Sequence, residues 1–150
     1  MPRKTLTAVI ATFFGVGYIP VVPATWASAV SAVMTWFLPS AQLIYPALVF
    51  SLAGLCVCRE SQDVFHAKDP KQFVMDEACG MMLTLLWLPK NAALYLAAFL
   101  LFRILDIWKP WPISRIQESW RATSIMWDDL LAGVFANIIL QMAIRTIVKL

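Results

Sequence analysis

The sequence predicts an all-α fold, an integral membrane helical bundle in which several helices are short or only partly inserted. Hydrophobic residues make up 61% of the 150-residue chain and charged residues 14%, outside the soluble range in both directions. Mean hydropathy is +0.72. The apolar residues come as runs of helical length, and the basic residues lie between the runs rather than in one block. The length suits one domain. A net charge of +3 spread in this way favours membrane topology and anionic lipid, and no stretch offers the basic, water-exposed face that a nucleic acid requires.

The N-terminus imitates a secretory signal, with Arg3 and Lys4, an apolar Leu6 to Phe14, and Ala27-Ser28-Ala29 in the manner of a cleavage site. Gly15, Gly17, Pro20 and Pro23 break the run early, so the expectation is a short helix over 5–14 that dips into the membrane without crossing. A second helix is expected over 25–38, with Ala27, Ser28, Ser31 and Ala32 allowing close helix approach. Pro39-Ser40 turns the chain into a third, over 41–58, about 27 Å long and continuing past Arg59 into water.

Residues 59–74 are the most polar segment. Asp76-Glu77 opens a helix to Leu88, Pro89-Lys90-Asn91 turns, and 92–108 returns, the pair reading as a partly inserted hairpin. Pro110 disfavours helix at Lys109 and ends it there. Residues 112–120 read as an in-plane amphipathic helix, with proline in the first turn and Ile113, Ile116 and Trp120 on one face. A last helix is expected over 127–148. The three cysteines, Cys56, Cys58 and Cys79, read as small hydrophobes rather than a disulfide framework.

This topology puts Arg3, Lys4, Arg59, Lys68, Lys71, Arg103, Lys109, Arg115 and Arg121 on one side, nine of the twelve Lys and Arg residues. The positive-inside rule makes that side cytoplasmic. Every acidic residue lies between Arg59 and Asp129, on the same side. Three acidic groups, Asp76-Glu77, Asp106 and Asp128-Asp129, open or close helices there. Gly80 and Ala132-Gly133 follow about one turn after the two pairs, which lets neighbouring helices come close and the carboxylates converge. Converging carboxylates repel unless a cation sits among them, and an all-oxygen set suits Mg²⁺. One histidine, His66, and Cys56-Val57-Cys58 do not make a zinc site. Arg103, Asp106 and Lys109 share a helix face, and an arginine with a lysine beside a metal is a clamp for a phosphoryl group.

The segments Pro20-x-x-Pro23-x-Thr25-x-x-Ser28, Lys68-Asp69-Pro70, Asp76-Glu77-x-x-Gly80, Phe102-Arg103-x-x-Asp106-x-x-Lys109-Pro110-x-Pro112 and Asp128-Asp129-x-x-Ala132-Gly133 together resemble the phosphatidylglycerophosphatase A family. The resemblance implies a Mg²⁺-dependent phosphatase of the bacterial inner membrane. Its site would face the cytoplasm and remove the terminal phosphate of phosphatidylglycerophosphate to leave phosphatidylglycerol. Catalysis would rest on Asp106, Asp129, Arg103 and Lys109, with Arg103, Lys109, Thr25 and Lys68 binding substrate. Metal would be held among Asp76, Glu77, Asp128, Asp129 and Asp69. Homo-oligomer formation is left open.

This chain departs from the family pattern at Ala24 and Ala27, where glycine is usual, and at 121–124, which lacks the family's glycine-rich approach. Other phosphatase chemistries are excluded. No cysteine has an arginine six positions later, two histidines are not available, and an Asp-x-Asp start is missing. The alternative function is a small channel, transporter subunit or scaffold with the charges as an ion path. Polar groups spread through the depth of the bilayer would favour it over a cluster at one face.

Overall fold

The computed structural model describes residues 3–111, 114 and 123–148. The expected in-plane helix over 112–120, including Arg115, lies outside the described residues almost entirely, as does Arg121. Among the described residues, six α-helices and two 3₁₀ turns, with no strand, form the bundle. They are α1 (Arg3–Ala11), α2 (Pro23–Trp36), α3 (Ile44–Phe65), α4 (Met75–Thr84), α5 (Ala92–Trp108) and α6 (Ser124–Val148).

Among the described residues, two stretches are long and apolar enough to cross a membrane, Ser40–Phe65 and Ser124–Thr146. Helix α3 rises about 33 Å, and its outward residues Tyr45, Leu48, Val49 and Leu52 are exposed. Helix α5 presents Leu96, Leu100, Ile104 and Ile107 outward in the same way. In water such stripes would forgo about 1.5–3 kcal/mol for each large side chain, so they suit a lipid surrounding. The molecule has the form of a helical membrane protein.

The first helix runs over Arg3–Ala11 rather than 5–14. At nine residues it is far too short to cross, and it lies against the polar end of α3, where Arg3 and Thr7 both engage Glu60. Thr12 ends it by turning its hydroxyl onto the carbonyl of Ala8 and accepting from the Gly15 N–H. Helix α2 begins two residues earlier than expected because Pro23, which needs no N–H partner there, occupies its first turn. Helix α5 has the expected bounds, with Asn91 capping its start by accepting from the Leu94 N–H at 3.1 Å.

Helix α4 was expected to reach Leu88 and stops at Thr84. The reason is tertiary. Asn137 of α6 donates to the carbonyls of Thr84 and Leu86 at 2.9 and 2.8 Å, and Gln141 donates to Asn137. These bonds replace helical ones that the unwound segment 85–88 gives up, and so the break survives inside the bundle. Replacing Asn137 with leucine should destabilise the fold by about 1–3 kcal/mol, since the buried Thr84 carbonyl loses its donor and that of Leu86 keeps only the long contact from Gln141. A lowered midpoint in thermal unfolding in detergent would record it.

Helix α4 packs most extensively on α6 and then on α2, so it sits at the centre. One buried cluster surrounds Phe13, Met75, Met82 and Met126, and a second surrounds Leu85, Tyr95, Phe102 and Ala136. Cys58 and Cys79 are buried and Cys56 is exposed on α3. The starts of α2, α4 and α6 and the end of α5 come together at one end of the bundle.

Candidate active site

The site is made by two helix starts brought nearly backbone to backbone. A Cβ on Gly133 would stand 2.3 Å from the carbonyl oxygen of Gly80, and one on Gly80 would stand 2.7 Å from that of Asp129. Both lie about one turn beyond their acidic pairs, so this contact draws the pairs together. Ligand oxygens of Asp76, Glu77 and Asp129 all fall within 4.8 Å of one another. Asp76 and Asp129 are buried, and Asp76 accepts from the Glu77 N–H at 3.0 Å.

Three carboxylates at that spacing are costly unless neutralised. Burial pushes Asp76 well above the usual carboxylate range, and the adjacent charge of Glu77 pushes it further. Burial raises Glu77 as well, partly offset by its hydrogen bonding with Asp76 and by Arg103. Glu77 Oε2 is buried with no hydrogen-bond partner among the described residues. An orphaned carboxylate oxygen within an all-oxygen donor set is what a hard divalent cation fits.

The end of α5 supplies the remaining charges. Arg103 pairs with Asp106 at 2.6 Å, both nearly buried, and Asp106 comes within hydrogen-bonding reach of Asp129. Lys109 ends the helix in the left-handed region (φ 43°), its N–H on the carbonyl of Leu105. That conformation is uncommon for a residue with a side chain, and such strain gathers at functional positions. It turns the ammonium onto Asp128. Burial alone would lower the pKa of Lys109, but its bond to Asp128 and the charges of Asp128 and Asp129 leave it raised, so it stays a cation.

A cleft of about 340 Å³ opens over these groups. Its walls carry Asp76, Glu77, Asp106, Lys109, Asp128 and Asp129, with Asp69 and Lys71 from the loop before α4 and Pro23 and Ala24 from the start of α2. A sequence model of the phosphatidylglycerophosphatase A family matches residues 9–144, nearly the whole chain.

The chain belongs to the phosphatidylglycerophosphatase A family.

Phosphatidylglycerophosphatase A of Escherichia coli is 37% identical over 136 residues, covering 85% of this chain and 77% of that protein. The Haemophilus influenzae protein of the same name is 35% identical over 137 residues, 87% and 83% of the two chains. A Bacteroides thetaiotaomicron protein, provisionally named a phosphatidylinositol-3-phosphatase, is 34% identical over 149 residues, 92% and 93% of the two chains. No solved structure matches the chain. This is a family of enzymes, phosphoric monoester hydrolases, and membership sets aside the channel or scaffold reading.

Of the residues expected in the site, the cleft brings together Asp69, Asp76, Glu77, Asp106, Lys109, Asp128 and Asp129. Within that set Asp128 is taken up by Lys109 and stands outside the close carboxylate trio, as does Asp69 on the loop. Three others are not on the cleft wall. Arg103 stands behind Asp106, its partner. Thr25 lies one residue past Ala24, its N–H on the carbonyl of Val22. Lys68 is exposed, and the loop instead turns at Pro70, where Phe73 N–H meets its carbonyl, and presents Lys71 to the cleft. Lys71 was missed as a site residue because it stands outside the Lys68-Asp69-Pro70 motif, and only the turn brings it in. The two glycine departures separate in the fold: Ala24 lines the cleft, whereas Ala27 is fully buried in the core.

Proposed function

We propose that this enzyme hydrolyses phosphatidylglycerophosphate to phosphatidylglycerol and inorganic phosphate, with Mg²⁺, at the cytoplasmic face of a bacterial inner membrane. The observation that carries the reading is one cleft that holds a close carboxylate trio and two lysines, at one end of an apolar bundle. The family and two of its named bacterial relatives support the substrate, and the clustering of basic residues at the site end supports the orientation.

Asp76, Glu77 and Asp129 would hold the cation, which supplies Lewis-acid polarisation of the phosphoryl group. Lys109, fixed by Asp128, faces the phosphate oxygens and offsets the charge spread over them in the transition state. Arg103 acts from behind, holding Asp106 in place. Water adds to phosphorus, the bond from phosphorus to the glycerol oxygen breaks, and that oxygen leaves with the electron pair and takes a proton. Lys71 at the rim draws in the anionic headgroup, which carries a phosphodiester and a terminal phosphate. Because this is attraction shared by ground and transition states, Lys71→Ala should raise KM several-fold with kcat nearly unchanged. Steady-state kinetics in mixed micelles would separate the two constants.

The buried carboxylates also make stability depend on pH. Without a cation, the raised pKa values of Asp76 and Glu77 mean that the folded protein holds protons more tightly than the unfolded chain. Stability is then full below the ordinary carboxylate range and falls as pH rises through the raised values. Mg²⁺ replaces those protons, so it should flatten the slope and stabilise most at high pH. Thermal midpoints taken across pH with Mg²⁺ and with EDTA test this without reference to turnover. Parallel curves would remove the cation from the trio. The reading as a whole is tested by phosphate release from phosphatidylglycerophosphate with and without Mg²⁺, and absence of release in both would overturn it.

A further inference from the structure

The cleft accounts for a phosphate but not for the diacylglycerol attached to it. Between α2 and α5, nearer their other ends, lies a second cavity of about 490 Å³, walled almost wholly by apolar atoms. Its floor is low because Ala29, Ala32 and Ala92 are small, and its far end is closed by Trp36 against Tyr95, edge to face with ring centres 4.9 Å apart.

The same helix faces run from the groove toward the cleft. Ala92, Tyr95, Leu96 and Phe99 recur at helical spacing, and the same stripe continues onto Arg103 and then Asp106, which lines the cleft. On α2, Ala29, Ala32, Val33 and Trp36 form a stripe that runs back to Thr25, beside Ala24 of the cleft wall. From Asp106 to Tyr95 is about 16 Å along the helix, a span suited to an acyl chain but not to a headgroup. Arg103 and Thr25, which do not line the cleft, stand on these stripes between the two sets of lining residues.

We infer that the groove between α2 and α5 holds an acyl chain of the phosphate-bearing glycerolipid whose headgroup occupies the cleft, with Arg103 and Thr25 passing the polar glycerol region between them. This rests on the phosphatase reading of the cleft and extends it to the lipid tail. The groove opens sideways past the exposed Val33, Phe37 and Leu96, so a lipid enters from the bilayer without leaving it.

The test compares dihexanoyl with dipalmitoyl phosphatidylglycerophosphate in mixed micelles, for the wild type and for Ala32→Phe, which fills the floor. The wild type should favour the long chains. Ala32→Phe should lower kcat/KM for the long-chain lipid about ten-fold while the short-chain value stays within about two-fold, the scale expected when a hydrophobic pocket is denied a few methylenes. The short-chain rate also reports that the variant is folded. An unchanged ratio of long-chain to short-chain rates overturns the inference, and if Ala32→Phe then also converts a dimer to a monomer, the groove belongs to a second copy. A binding readout separates this from failure of the phosphatase reading. Phosphatidylglycerophosphate with a diazirine midway along one chain should label residues 29–37 and 92–99 whether or not it is hydrolysed. Label spread over α3 and α6 instead would overturn the groove assignment.

Discussion

Asp129→Asn is expected to reduce phosphate release at least about 10²-fold, the loss seen when one electrostatic contact is removed from a preorganised site. The change keeps the shape and removes one charge from the place where three carboxylates meet. Asp129 also feels the charge of Asp106, so removing its own charge acts on both the trio and the arginine-held aspartate. The same variant should require a higher Mg²⁺ concentration for half-maximal rate. Because a buried like charge has been removed, its stability in EDTA should be equal to or above the wild type. A variant that loses activity while gaining stability without metal would distinguish a ligand from a structural residue. Turnover equal to the wild type would place the chemistry elsewhere.

Gly133→Ala is expected to be nearly as damaging although no charge is touched. The added methyl would meet the Gly80 carbonyl at 2.3 Å, and that neighbour is backbone, which cannot swing aside. Helices α4 and α6 must then separate, and overpacking of this kind costs about 1–3 kcal/mol. Separation also carries Asp129 away from Asp76 and Glu77, and a displacement near 1 Å at a reacting site is worth about 10²-fold. The expected result is a lower thermal midpoint together with weaker Mg²⁺ activation. Val134→Ala, on the exposed side of the same helix, should change neither. A Gly133→Ala enzyme with wild-type Mg²⁺ dependence would show that the helix crossing does not set the carboxylate spacing.

Much of this arrangement was legible in the chain. Helix α5 has the bounds that the apolar run and Pro110 imply, because a long helix with a capping asparagine and a terminal proline is specified locally. Gly80 and Gly133 were expected to permit close approach, and they are where α4 and α6 meet. The stop of α4 at Thr84 was not legible, since its partner Asn137 lies 53 positions away and reads, in isolation, as one polar residue in an apolar helix. Lys71 and Lys68 were equivalent by composition, and the turn at Pro70 separated them.

What the sequence determined by itself was the class of the molecule, its helices and the inventory of charge at one end. Hydrophobic content, helix length and the placement of Pro and Gly are local quantities, and each acts on the chain wherever it lies. Tertiary structure decided which charges face one another: Asp76, Glu77 and Asp129 as a trio, Asp128 with Lys109, and Arg103 behind Asp106. Electrostatic interaction depends on separation in space and on burial, and both arise only when two glycines far apart in the chain bring α4 and α6 into contact.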